Sequence, residues 1–315
     1  TICKVDLMSD LVGEFPELQG IMGGYFAEAQ GFEKDVSSAI SEHYLPIGME
    51  SELPKKPYSI ALSLSDKIDS LVGFFGINLK PSSSKDPYAL RRMTISMVRL
   101  IIENNKKIKL RDLINYSCML YKEQGFEFDI KKVHFELGDF IFDRIKNYLK
   151  EKHIRNDIIE STSSNFSIDE LLKIYKKSFI LNKCINIDFV KDVISIYKRS
   201  SNILLNEDKN SKKYTGTADP GLFKNDYEEN LYKKIHEIRK YFSSIGREEN
   251  YEESLKILSN AKSEVDEFFE NVIVNDNDET IKKNRLELLS MLCKSFDTYL
   301  NFSKIEAQWK NTFLT

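Results

Sequence analysis

Apolar residues recur along most of the chain at helical spacing. Leu231, Ile235, Ile238, Phe242 and Ile245 follow one another by 4, 3, 4 and 3 residues, which places them on one stripe of a helix that Gly246 then ends. Tyr251, Leu255, Leu258, Ala261, Val265, Phe268 and Val272 repeat the pattern, a turn is expected at Asn275–Asp278, and a last helix carries Leu286, Leu289, Leu292, Phe296, Tyr299 and Phe302. Stripes of this width on consecutive helices with short connections predict an antiparallel bundle. Upstream, four more apolar faces are expected. They are Leu110, Leu113, Ile114 and Met119; Phe135, Phe140, Ile141, Ile145 and Leu149; Leu171, Leu172, Tyr175 and Phe179; and a face opened by Asp188, Phe189, Val193 and Ile196. No alternation of period two runs beyond four residues, so the expected fold class is all-α.

Breakers and charge divide the chain. Eight of the 13 Gly precede residue 77 and six of the seven Pro precede residue 88, so tight turns gather early and long helices follow. Residues 1–105 hold 10 basic against 14 acidic side chains, residues 106–220 hold 22 against 17, and residues 221–315 hold 14 against 18. Three parts are therefore expected: a helical domain at 1–105, a helical connector at 106–215 and the bundle at 216–315. The polar segment Leu205–Pro220 is the expected linker.

A net charge of −3 over 315 residues supplies no global field for nucleic acid or anionic membrane, so any RNA contact must come from local patches. No apolar run approaches the roughly 18 residues of a membrane span. The chain opens Thr1-Ile2-Cys3-Lys4 without Met and is expected to be part of a longer protein. Cys3, Cys118, Cys184 and Cys293 lie far apart, which excludes a zinc site built on local Cys pairs and reads as reduced thiols in a cytoplasmic protein.

The motifs GxxxxGK[ST], GxGxxG, GxSxG and HExxH do not occur. His134, His153 and His236 sit beside Lys or Glu in helical stretches and read as ordinary side chains. His43 closes a helix containing Val36 and Ile40, with Asp66 and Asp69 on a downstream helix and Asp10 upstream. This layout resembles the HD superfamily of helical metal phosphohydrolases, in which His and Asp side chains converge on metal and the metal activates a water. Asp10, His43 and Asp66 match three such positions. Ser9 stands where the His of the His-Asp pair is needed, so metal is not expected and the domain reads as a degenerate HD type.

Two basic sites are candidates for phosphate or RNA contact. A Ser-rich loop with Lys85 leads into a helix expected to start with Asp86 as N-cap and Pro87 at the first position, with Arg91 and Arg92 one turn in. Lys282, Lys283, Asn284 and Arg285 open the last helix, where Lys and Arg can meet an RNA backbone and Asn a base edge.

Four strings, DLVGEFPELQGIMGGYFA (Asp10–Ala27), SEHYLP (Ser41–Pro46), LSDKIDSLVGFFGI (Leu64–Ile77) and SKDPYALRR (Ser84–Arg92), resemble the bacterial glycyl-tRNA synthetase beta subunit. VDEFFENVIVNDNDETIKKNRLELL (Val265–Leu289) is similar to the C-terminal anticodon-binding domain of that subunit and to those of arginyl-type synthetases. The resemblance implies a non-catalytic, tRNA-binding part of an α2β2 ligase. The alpha subunit would carry the class II catalytic core with ATP and Mg, and this chain would hold no catalytic residue or cofactor of its own. Its partners would be tRNA(Gly) and the alpha subunit. Base stacking is then expected on aromatics such as Tyr232, Tyr241 or Trp309, with the acidic Glu252, Glu253, Asp266 and Glu267 turned from the RNA. Two alternatives stand beside it: an HD-type metal phosphohydrolase at Asp10, His43 and Asp66, and a purely structural module docking on the alpha subunit through residues 1–105.

Overall fold

The computed structural model describes residues 2–82, 84–164, 167–208, 214–244 and 250–306. Among these there are helices and no strands. The contacts group the chain into two units, Thr1–Lys152 with Phe166–Tyr175, and His153–Asn165 with Lys176–Thr315.

The first unit contains α1 (Asp10–Glu14), α2 (Ile21–Ala29), α3 (Lys34–Glu42), α4 (Pro57–Gly76), α5 (Leu90–Glu103), α6 (Leu110–Glu123) and α7 (Ile130–Glu151). Helix α4 starts with Pro57, whose missing N–H costs nothing in the first turn. It packs against α3, α5, α6 and α7, and Leu71 and Val72 in its C-terminal half are fully buried. Each such side chain contributes on the order of 1.5–3 kcal/mol. Helices α2 and α3 approach closely because Gly24 has no side chain: a Cβ there would sit 2.8 Å from the Ser41 Cβ and 3.0 Å from the Ser37 carbonyl.

The second unit contains α8 (Asn156–Thr162), most of α9 (Leu171–Cys184), and α10 (Asp188–Asp208), α11 (Asp226–Ser244), α12 (Tyr251–Ser259), α13 (Lys262–Asn271) and α14 (Glu279–Asp297). Helix α10 packs on α12, α13 and α14, and α11 on α13 and α14. Leu231, Ile235, Leu255, Leu258, Phe268, Leu286, Leu289 and Phe296 are buried, as their spacing predicts; Tyr299 and Phe302 are buried too, but beyond the end of α14 rather than on it, Phe302 opening a separate 3-10 turn.

Several expectations are corrected. The packing makes two units, with no division at 105/106 or 215/216, because α6 and α7 complete the core around α4 and α5 while α10 belongs with the C-terminal helices. The segment expected to be a linker starts as the end of α10, and its residues 209–213 lie outside the described residues. Its remainder docks on α14: the Tyr214 carbonyl accepts from Ser290 Oγ at 2.7 Å, the Thr215 carbonyl accepts from Lys294 Nζ at 3.0 Å, and Ala218 is buried. The stripe from Tyr251 to Val272 breaks at Asn260-Ala261 into α12 and α13 while its apolar side stays continuous. In α6 the buried face is Leu110, Ile114, Ser117 and Cys118, and Leu113 and Met119 flank it in solvent. In α7 it is Val133, Leu137, Ile141, Ile145 and Leu149; Phe135 is two residues off that stripe, about 200° around the helix, and is 71% exposed. Phe179 is exposed as well. Helix α5 begins at Leu90, three residues later than expected, since Asp86-Pro87-Tyr88-Ala89 form a turn closed by the Ala89 N–H on the Asp86 carbonyl at 3.1 Å. Gly246 and Ile245 lie outside the described residues.

Gly24→Ala should destabilise the first unit by about 1–3 kcal/mol, because the added methyl meets main chain that cannot move aside. Urea unfolding followed by circular dichroism measures this, and an unchanged midpoint would show that α2 and α3 have room to separate.

Candidate functional site

In the first unit the three HD-like residues do not assemble one site. Asp10 opens α1 with its side chain exposed, behind Ser9, whose Oγ accepts from the Val12 N–H and donates to the Asp6 carbonyl. His43 caps the end of α3, fully buried, with Nδ1 at 2.6 Å from the Ile40 carbonyl and Nε2 without a partner. Burial pushes its pKa below the ordinary imidazole value, against the pull of that carbonyl. Asp66 is paired with Lys4 at 2.5 Å. Among the described residues no three His, Cys, Asp or Glu side chains gather as a metal site.

The organising group here is a residue the sequence reading passed over. Lys67, one position after Asp66, is buried, and its ammonium donates to Ser63 Oγ at 2.8 Å and to the carbonyls of His43, Tyr44 and Leu45 at 3.2, 3.4 and 3.2 Å. It satisfies carbonyls that a helix end leaves open, and it places a positive charge at the negative end of the α3 dipole. Burial lowers its pKa from 10.5 to about 8, with Asp66 opposing the fall and Lys4 adding to it. Tyr44 beside it is pushed up to about 12 by burial and by Asp66, so its phenol stays protonated. Asp6 is a second anchor the reading missed: it is buried, and its Oδ2 accepts from the N–H groups of Gly20 at 2.6 Å and Gly23 at 3.2 Å, where α2 begins. A carboxylate 14 to 17 residues before its N–H partners leaves no local signal.

The Ser-rich loop and the start of α5 hold the next candidates. Asp86 accepts from the N–H groups of Leu90 at 2.9 Å and Arg91 at 3.0 Å, so it caps the helix from a distance. The Arg91 guanidinium turns back onto the Ser82 carbonyl. Lys85 and Arg92 are exposed, and Arg92 makes no ion pair or hydrogen bond with a described residue. These residues therefore divide, with Arg91 engaged in the loop and Arg92 available.

In the second unit the basic quartet also divides. Asn284 is buried and exchanges hydrogen bonds with the Asp219 main chain at 2.7 and 3.0 Å. Arg285 is buried too: its Nε donates to Glu228 at 2.7 Å, and one terminal nitrogen donates to Asp276 at 2.7 Å and to the Ile273 carbonyl at 2.9 Å. Asn284 and Arg285 are thus corrected from RNA contacts to internal fasteners, because the Asp219 main chain, the Glu228 carboxylate and the Ile273 carbonyl dock on them. Lys282 pairs with Glu207 at 2.9 Å and is largely covered. Lys283 is 68% exposed, with Glu287 at 3.9 Å. Arg285 holds the loop Val272–Asp278, in which Ile273, Asn275 and Asn277 are exposed. Asp278 starts α14 by accepting from the Thr280 N–H at 2.8 Å. Tyr232 packs edge-on against Phe223 and Tyr241 against Phe242, while Trp309 lies outside the described residues. Of the acidic side chains, Glu252 pairs with Lys256, and Asp266 with Lys262 and Arg199.

A sequence model of the family described as "Glycyl-tRNA synthetase beta subunit" matches residues 1–164. The chain belongs to this family. A second model, "DALR anticodon binding domain", matches residues 193–309. Among individual proteins, the chain is 36% identical over 309 residues to a glycine–tRNA ligase beta subunit of Rickettsia africae, covering 96% of this chain and 43% of that one. It is 37% identical over 305 residues to one of Rickettsia canadensis, covering 96% and 44%, and 34% identical over 307 residues to one of Rhodospirillum centenum, covering 97% and 42%. The chain thus spans less than half the length of these curated relatives.

For this beta-subunit chain two measurements check the site's anchors. Arg285→Ala leaves Glu228 buried without its partner and should cost about 3–5 kcal/mol in urea unfolding; a cost below 1 kcal/mol, on the scale of a surface pair, would show that the pair is solvated. For Lys67, the unfolded chain titrates near 10.5 and the folded chain near 8. Between those values the unfolded state binds more protons, so the Lys67 contribution to stability grows as pH rises through that window and falls away as pH drops through 8. The stability difference between the protein and Lys67→Met should therefore increase from about pH 8 to 10.5, and a pH-independent difference would contradict it.

Proposed function

We propose that this chain is the tRNA-gripping part of a glycine–tRNA ligase beta subunit, acting in the cytoplasm. It would hold tRNA(Gly) for glycine attachment carried out by the alpha subunit of an α2β2 enzyme, where ATP and Mg would bind. The observation that carries the reading is the match to an anticodon-binding family over residues 193–309, in a chain whose first half belongs to the beta-subunit family. That match includes Lys283, an exposed cation suited to backbone contact, and the loop that Arg285 holds, whose exposed Asn275 and Asn277 amides suit base-edge reading and whose Ile273 side chain is 77% exposed. No described helix is long and apolar enough to cross a membrane.

A specific observation favours a second role within the same subunit. Large apolar side chains stand in solvent over residues 5–32, among them Val5, Met8 (87% exposed), Phe15, Tyr25 (62%) and Phe32. Such crowding fits a surface covered by a protein partner, here the alpha subunit.

In filter binding, Lys283→Glu should weaken tRNA(Gly) binding about tenfold and lower the slope of log K against log salt by about 1–2. Glycyl-adenylate formation by the assembled enzyme should be unchanged. Photo-cross-linking should join tRNA to residues 272–283 and the alpha subunit to residues 5–32. Normal tRNA affinity in the variant, with no RNA cross-link to the second unit, would overturn the tRNA reading; RNA in place of protein at residues 5–32 would overturn the docking role.

A further inference from the structure

We propose that the cavity beside Arg92 in the first unit binds one unpaired nucleotide, a base with its sugar and a single phosphate, presented by RNA or as a free nucleoside monophosphate. The cavity holds about 640 Å³, within the range of small-ligand sites. The four strings that carry the family resemblance all reach it: Glu17, Gln19 and Ile21 from the first, Ser41, Glu42 and Tyr44–Pro46 from the second, Asp66, Lys67 and Ser70 from the third, and Tyr88, Ala89 and Arg92 from the fourth. They arrive from four separate segments of the chain.

The lining selects the ligand. Three cations and three carboxylates face the cavity: Lys4, Lys67 and Arg92 against Glu17, Glu42 and Asp66. Lys4 is closed on Asp66, and Lys67 is engaged by Ser63 and three carbonyls. One uncommitted guanidinium remains, Arg92, and its planar fork suits one phosphate held by paired hydrogen bonds. A triphosphate would bring more negative charge than the balanced wall compensates. Apolar surface from Ile21, Leu45, Pro46 and Met93 suits a base better than an inorganic ion. Tyr88 lies in the same wall, stacked on Phe74 at 4.4 Å through one face and 47% exposed, which leaves ring surface for a base to stack on. Glu42 brings a buried Oε2 with no hydrogen-bond partner, an acceptor for an exocyclic amine or a sugar hydroxyl. The site lies in the first unit and does not depend on the anticodon reading of the second.

Isothermal titration of the 315-residue protein with adenosine 5′-monophosphate, adenosine, ATP and a single-stranded tetraadenylate tests the proposal. The monophosphate should bind, and ATP should bind no more tightly. Arg92→Ala should weaken the monophosphate about tenfold and leave adenosine unaffected. Tyr88→Ala should weaken both, with Tyr88→Phe restoring them. Tetraadenylate binding about tenfold or more tighter than the monophosphate assigns the site to RNA, and equal affinities assign it to the free nucleotide. Lys283→Glu, in the second unit, should leave every one of these affinities unchanged, which separates this result from failure of the tRNA reading. No binding of monophosphate or tetraadenylate up to about 10 mM, or affinities insensitive to both Arg92→Ala and Tyr88→Ala with circular dichroism unchanged, would overturn it.

Discussion

The first unit turns on one buried ammonium. Lys67 reaches from α4 to the end of α3 and bonds three successive carbonyls, His43, Tyr44 and Leu45, together with Ser63 Oγ. Ser63 Oγ also donates to the Leu45 carbonyl at 2.5 Å. Helix ends must hand their last carbonyls to some donor, and here the donor is a charge on a neighbouring helix. That clasp holds Tyr44–Pro46 as a fixed wall and keeps Asp66, the preceding residue of α4, beside it. The wall, the Lys4–Asp66 pair and the cavity they line all follow from where this one side chain ends.

The second unit solves an equivalent problem with the opposite partner. Arg285 leaves α14, pairs with Glu228 of α11 and gathers the Ile273 carbonyl and Asp276. A buried pair of this kind is costly to desolvate, and it is sustained by the number of hydrogen bonds that fill the guanidinium. It also explains why the charge of the C-terminal part is a poor guide to its surface. Glu228 and Arg285 count in any sum over the sequence, yet neither is presented to a ligand. Much of the remaining acid is paired on the helices themselves, as Glu252 is with Lys256 and Asp266 with Lys262.

In both units, then, cations that a sequence reading assigns to phosphate fall into two kinds. Some close loops, as Arg91 does on the Ser82 carbonyl and Arg285 on the Ile273 carbonyl. Others one or two positions away face solvent, as Arg92 and Lys283 do. Neighbours on a helix differ by about 100° in direction, which is enough to separate a fastener from a contact. The rigid members hold the loops, and the exposed members can use them.

Periodicity alone determined the class of fold and most of the core. Leu231, Ile235 and Ile238 on α11, and Leu286, Leu289 and Leu292 on α14, are buried because helical spacing leaves them no other common face. Helix starts such as Asp278 were equally local, since a carboxylate two or three residues ahead of free N–H groups is its own signal. Family membership was legible from short strings, and those strings turn out to line a cavity. Tertiary structure decided the rest. It exposed Phe135 and Leu113, docked a polar segment that read as a linker, and drew the connector helices into two units. It also chose which polar residue meets which, over 57 residues for Arg285 with Glu228 and 24 for Lys67 with the His43 carbonyl. A local pattern records how a side chain points from its own helix; what it points at depends on how the helices pack.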